Sequence, residues 1–254
     1  MIKKYMVTEI IILYIVLIVG FLYLTFADLS GMQTAWLDFS GGLQFRMADW
    51  LKFATVVLAF RTAVMFRKDA FCKFDGMVLC LALLAKVVSD VFLTLKGTEY
   101  LSQIIGIGAY SVVMILFFLR YNYGKFKNLL ILPLFFIVPA FLFYFSRGEE
   151  SLLYFIYVGT QRGLIVTASF YIQVLVAVIV SMAAAVRRGR YARRNTALLT
   201  ASMFLFILGD ICVVLANFAA FEMQEFRNLI WVFYTPSLFF ISFSAYDFKK
   251  QILT

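Results

Sequence analysis

Lys86 and Asp90 are four residues apart in LAKVVSDVFLTL, a stretch otherwise suited to hydrocarbon. At that spacing they share a helix face, one turn apart. A charged side chain in the bilayer centre costs about 2.5–3.5 kcal/mol on insertion scales, so such groups turn inward and mark either function or a structural pair. Asp210 has a similar setting in MFLFILGDICVVL, with no basic residue within a turn of it on its own helix. Buried carboxyl groups accompanied by a lysine suit proton handling, as in a proton-coupled transporter or a membrane sensor gated by protonation. The competing reading of Lys86 and Asp90 is an intrahelical ion pair that lets both residues survive burial.

The chain excludes much other chemistry. It has no histidine, which removes Ser-His-Asp and Cys-His catalysis, His-ligated metal and histidine pH switching together. Cys72, Cys80 and Cys212 are isolated in sequence and read as small packing residues, with no metal site, disulfide framework or cofactor implied. The net charge is +9, but the basic residues fall in short loops between apolar runs, where membrane orientation explains them without nucleic acid.

The elements that must position these residues are membrane helices. Hydrophobic residues make up 64% of the 254, with 30 Phe and only three Pro, and the mean hydropathy is +0.93. This is the composition of an all-α polytopic membrane protein in one integral membrane domain, 1–254. Eight transmembrane helices are predicted: Val7 to Phe26, Ala48 to Phe66, Phe74 to Leu95, Tyr100 to Leu119, Leu129 to Phe145, Gly163 to Val186, Thr196 to Phe218 and Asn228 to Tyr246. A polar connection containing Asp28, Asp38, Gly41 and Gly42 joins the first two. On the fourth, Glu99, Gln103 and Tyr110 share a face, and Gly106, Gly108 and Ala109 would let a neighbour approach closely.

Charge supports this division. Placing alternate loops in the cytoplasm puts 15 of the 23 Lys and Arg inside and five outside, leaving Lys52, Arg61 and Lys86 within helices. Both termini are then cytoplasmic. With a rise of 1.5 Å per residue, Asp90 and Asp210 lie on the order of 9 Å and 5 Å beyond the midplane towards the outer surface. Lys52, Gln103 and Tyr234, on helices running inward, fall in the same outer half, and a shared cavity is the economical expectation. AKVVSDVFL and LFILGDICVVL each place a small residue before an aspartate, four spans apart, a faint repeat that suggests two parallel four-helix halves.

These residues resemble a known family. Ser89-Asp90, followed by a helix with Ile105, Gly106, Ala109 and Tyr110, is similar to the YhhN-like lysoplasmalogenase family, whose third helix carries Gly-Asp or Ser-Asp. Gly209-Asp210 matches its second acidic element and Phe233-Tyr234 its late aromatic element. Lys52 stands where the family opens a helix with Lys-Pro-Leu, but Phe53 replaces the proline, and the histidine common on the family's fourth helix is absent. The likeness runs from about Leu51 to Tyr246. It implies hydrolysis of the vinyl ether bond of a lysoplasmalogen in a bacterial inner membrane, without a cofactor or metal. Asp90 and Asp210 would be the catalytic pair, Asp90 kept ionised by Lys86 and Asp210 serving as acid. Lys52 would meet the phosphate of the lysophospholipid substrate, and Lys86, Gln103, Tyr110 and Tyr234 would complete its binding site within the membrane lipids.

Overall fold

In hydrocarbon every backbone N–H and C=O must find its partner within the protein, so long apolar runs become helices. The computed structural model describes residues 2–29, 36–39, 43–94, 99–131, 133, 137, 141, 162–217 and 226–248. Among these are seven α-helices: α1 (Ile2–Leu29), α2 (Met47–Phe66), α3 (Lys73–Thr94), α4 (Glu99–Tyr121), α5 (Arg162–Arg187), α6 (Arg193–Asn217) and α7 (Phe226–Phe243). They correspond to seven of the eight predicted spans. The predicted fifth span, 129–145, lies largely outside the described residues, and its first residues close a 3-10 helix, Phe126–Ile131.

Val7–Phe26, Phe170–Arg187 and Arg193–Cys212 are long and apolar enough to cross a membrane, and Ile105–Tyr121 and Leu229–Phe243 are shorter apolar helices. Twenty residues of α-helix span about 30 Å, the thickness of a bilayer core. Exposure shows which solvent these helices face. On α1 the exposed residues include Ile12, Ile15, Val16, Val19, Leu22 and Phe26, a surface suited to lipid rather than water. This is a helical membrane protein.

One expected loop contains a strand pair. The predicted polar connection forms an antiparallel hairpin, β1 (Trp36–Phe39) and β2 (Leu43–Arg46), with Trp36 opposite Arg46 and Phe39 opposite Leu43. Trp36 and Phe39 on one strand and Phe45 on the other are residues that favour strands.

The chain packs as two compact units, Met1–Phe71 with Ala192–Thr254, and Cys72–Tyr191. The first holds α1, α2, α6 and α7, and the second α3, α4 and α5. This division overturns the sequential four-helix halves suggested by the repeat. The reason is packing: the stripe Ile10, Tyr14, Leu17, Phe21 and Leu24 on α1 is buried, and its rings meet α7, Tyr14 against Phe239 at 4.8 Å and Phe21 against Trp231 at 5.8 Å. Spacings of four and three put that stripe on one helix face, and a stripe so far along the chain from its match pulls the two ends of the sequence together.

Polar clasps close the first unit at the end of α7. Asn195 donates to the carbonyls of Ser244 and Tyr246, both at 2.8 Å, and Phe71 N–H donates to Ala245 at 3.0 Å. Between α6 and α7, Ser202 and Ser237 each donate to the other's backbone carbonyl, at 3.0 and 2.8 Å. In the second unit, Asn122 at the end of α4 donates to Ser181 on α5 at 2.8 Å.

Candidate functional site

Five of the polar residues singled out by sequence fall into two stations, one in each compact unit. The first is built on α3. Met77, Leu81, Leu84 and Val88 are exposed on one face, while Leu79, Ala82, Leu83, Lys86, Ser89 and Asp90 are buried on the other. A single helical period therefore turns both charged residues inward. Lys86 Nζ donates to Asp90 Oδ1, with the two residues 4% and 3% exposed. The ring of Tyr110, on α4, lies 4.4 Å from the ammonium, so the lysine is held by a carboxylate and a π-face together. Tyr171 of α5 sits 5.2 Å behind that ring.

Ser89 fixes the depth of this station. Its hydroxyl donates to the backbone carbonyl of Gly106 at 2.8 Å, tying α3 to α4 one residue before Asp90. The expected small-residue approach thus holds at Gly106, which is buried, but not at Gly108, where an added Cβ would meet nothing within 4 Å.

The second station joins α6 to α7. Tyr234 Oη donates to Asp210 Oδ1, and the tyrosine ring packs with Phe206 at 5.1 Å and Trp231 at 5.8 Å. Gly209 makes this possible: a Cβ there would lie 2.6 Å from Cε1 and 2.7 Å from Cδ1 of Tyr234. The aromatic ring occupies the space a side chain would need. The small residue before the aspartate is therefore a packing requirement of the tyrosine that holds it.

Other predicted residues are placed differently. Lys52 pairs with Asp49, one turn earlier on α2, at 3.1 Å, a partner the sequence reading passed over. Gln103 lies on α4, its side chain outside the described residues. Within the second unit the structure brings Lys86, Asp90 and Tyr110 together, and within the first it brings Asp210 and Tyr234 together. Among the described residues no group of three or more His, Cys, Asp or Glu is placed to hold a metal.

The largest charged network among the described residues escaped sequence reasoning. Asp75, in the first turn of α3, receives hydrogen bonds from Arg120 Nε at 2.9 Å and Nη2 at 2.6 Å, and from Tyr191 Oη at 3.0 Å, while Arg190 Nη2 lies 3.9 Å away. Asp75 and Arg120 are fully buried. Burial raises the pKa of the Tyr191 phenol, which keeps it a donor. By position alone Arg120 is a loop cation at a helix end. Only its contact with a residue 45 positions earlier makes it a core residue.

The fold and these stations define a helical membrane protein with ionisable pairs embedded among apolar helices. The chain belongs to the YhhN family, whose model matches residues 47–245, a span that includes both aspartates, Lys52, Lys86 and Tyr234. No curated protein and no solved structure matches it.

Proposed function

We propose that the protein is a lysoplasmalogenase-like hydrolase that cleaves the vinyl ether bond of a lysophospholipid within the membrane. The observation that carries this reading is the Lys86–Asp90 pair, buried under Tyr110, in a chain of the YhhN family. Burying an ammonium and a carboxylate together is a weak way to gain stability, because desolvation offsets most of their attraction. Function is the better account of their retention.

In the proposed reaction Asp210 protonates the β-carbon of the vinyl ether and an oxocarbenium ion forms. The Asp90 carboxylate steadies the cation and takes a proton from the attacking water. The resulting hemiacetal collapses to a fatty aldehyde and a glycerophospho-alcohol. Lys86 maintains Asp90 as a carboxylate, Tyr234 aims Asp210, and Lys52, beside Asp49, meets the headgroup phosphate. Both termini lie in the cytoplasm of a bacterial inner membrane in this reading, following the distribution of Lys and Arg.

The test is aldehyde release from ethanolamine and choline lysoplasmalogens by the purified protein. Asp90→Asn and Asp210→Asn should each lower turnover by a factor of at least about 10²–10⁴, the usual worth of a general acid or base. Wild-type turnover in either variant removes that residue from the mechanism, and no aldehyde from the intact protein removes the reaction.

A further inference from the structure

The contacts of Asp75 with Arg120, Tyr191 and Arg190 place the start of α3, the end of α4 and the end of α5 at one end of the second unit. That end is strongly basic. Lys73, Lys125, Lys127, Arg187 and Arg188 are exposed there, and Arg190 is partly so. Among the described residues of the second unit, Asp75 is the one acidic residue at this end, and it is buried and already shared between two guanidinium groups. Among the described residues of this unit, no other carboxylate lies at this end to neutralise the exposed cations.

The basic rim is also built rather than loose. Arg190 Nη1 donates to the carbonyls of Tyr121 and Tyr123, at 3.2 and 3.3 Å, clasping the turn after α5 to the turn after α4. The Tyr123 ring stacks on Phe74 at 4.2 Å and lies 5.4 Å from the Arg190 guanidinium. Asn128 donates to Asn122 at 2.6 Å and Asn122 to Ser181 at 2.8 Å, fixing the segment that carries Lys125 and Lys127 against α5. Gly124 and Gly189 hold the two turns at φ of 78° and 66°.

Depth decides the partner. Two apolar helices, Ile105–Tyr121 and Phe170–Arg187, end here, and cations in the residues just after a membrane-crossing helix lie at headgroup level. We infer that this rim, on the turns after α4 and α5, is a binding site for anionic phospholipid headgroups. Orientation during insertion needs only an excess of positive charge. A turn clasped by arginine to backbone, presenting several exposed cations, supplies a fixed surface for phosphodiester groups.

The experiment measures binding to the full-length protein in neutral detergent, by native mass spectrometry and by thermal unfolding, with dioleoylphosphatidylglycerol and dioleoylphosphatidylcholine added in turn. Phosphatidylglycerol should bind and raise the unfolding temperature, whereas phosphatidylcholine should not. Arg187→Gln and Arg188→Gln, at exposed positions that leave the Asp75 network intact, should each weaken binding about fivefold, the effect of removing one cation near an anionic surface. Arg61→Gln, an exposed cation on α2, should leave binding unchanged. Equal response to the two lipids, an equal shift with inorganic phosphate, undiminished binding by the Arg187 and Arg188 variants, or equal weakening by Arg61→Gln would each overturn the site. None of these readouts depends on hydrolase activity.

Discussion

Gly209→Ala isolates the contact that aims Asp210. The new methyl would stand 2.6 Å from Tyr234 Cε1, where ordinary contact begins at 3.4 Å, so the ring must retreat by about 0.8 Å. Phe206 and Trp231 already press on that ring, at 5.1 and 5.8 Å between centroids. Overpacking of this kind costs about 1–3 kcal/mol, and loosening a hydrogen bond to a carboxylate adds about 1–3 kcal/mol. The gain in helix propensity from Gly to Ala offsets about 1 kcal/mol. The net expectation is a destabilisation of about 1–5 kcal/mol, measured by reversible unfolding in mixed micelles. The sign should reverse once the ring is gone: measured against Tyr234→Ala alone, adding Gly209→Ala should stabilise by up to about 1 kcal/mol. With Tyr234→Phe the ring stays and the hydrogen bond is already lost, so only the packing cost should remain. A Gly209→Ala protein as stable as wild type, or one that pays the same cost in the Tyr234→Ala background, would refute the reasoning.

Lys86→Met leaves Asp90 buried beside an apolar chain and should destabilise by about 3–5 kcal/mol while abolishing aldehyde release, whereas exchanging both residues for Met and Leu should recover much of the stability but no activity. Arg120→Leu should cost a similar amount, about 3–5 kcal/mol, by stranding Asp75, and Tyr191→Phe about 1–3 kcal/mol; both are read from unfolding in micelles. Gly189→Ala should cost about 1–2 kcal/mol, because a φ of 66° puts a Cβ against the following carbonyl. If that variant unfolds with wild-type stability, the turn after α5 does not need its left-handed backbone.

Sequence by itself determined the class of protein and most of its helices. Apolar runs with 30 Phe and three Pro leave a chain in lipid no other way to satisfy its backbone, so six of the seven described helices start and end close to where composition put them, while α1 begins earlier, at Ile2 rather than Val7. It also determined that Lys86 and Asp90 meet, since helical spacing alone brings i and i+4 together. Contacts between distant segments were beyond its reach. The joining of α1 and α7, the clash that explains Gly209, the tyrosine that grips Asp210 and the burial of Arg120 on Asp75 all depend on which helix faces which. Periodicity gives the direction of a side chain around its own axis, but in a chain where nearly every face is apolar it does not say which neighbour lies there. Tertiary packing decided that, through the fit of rings against small residues and the need of each buried charge for a partner.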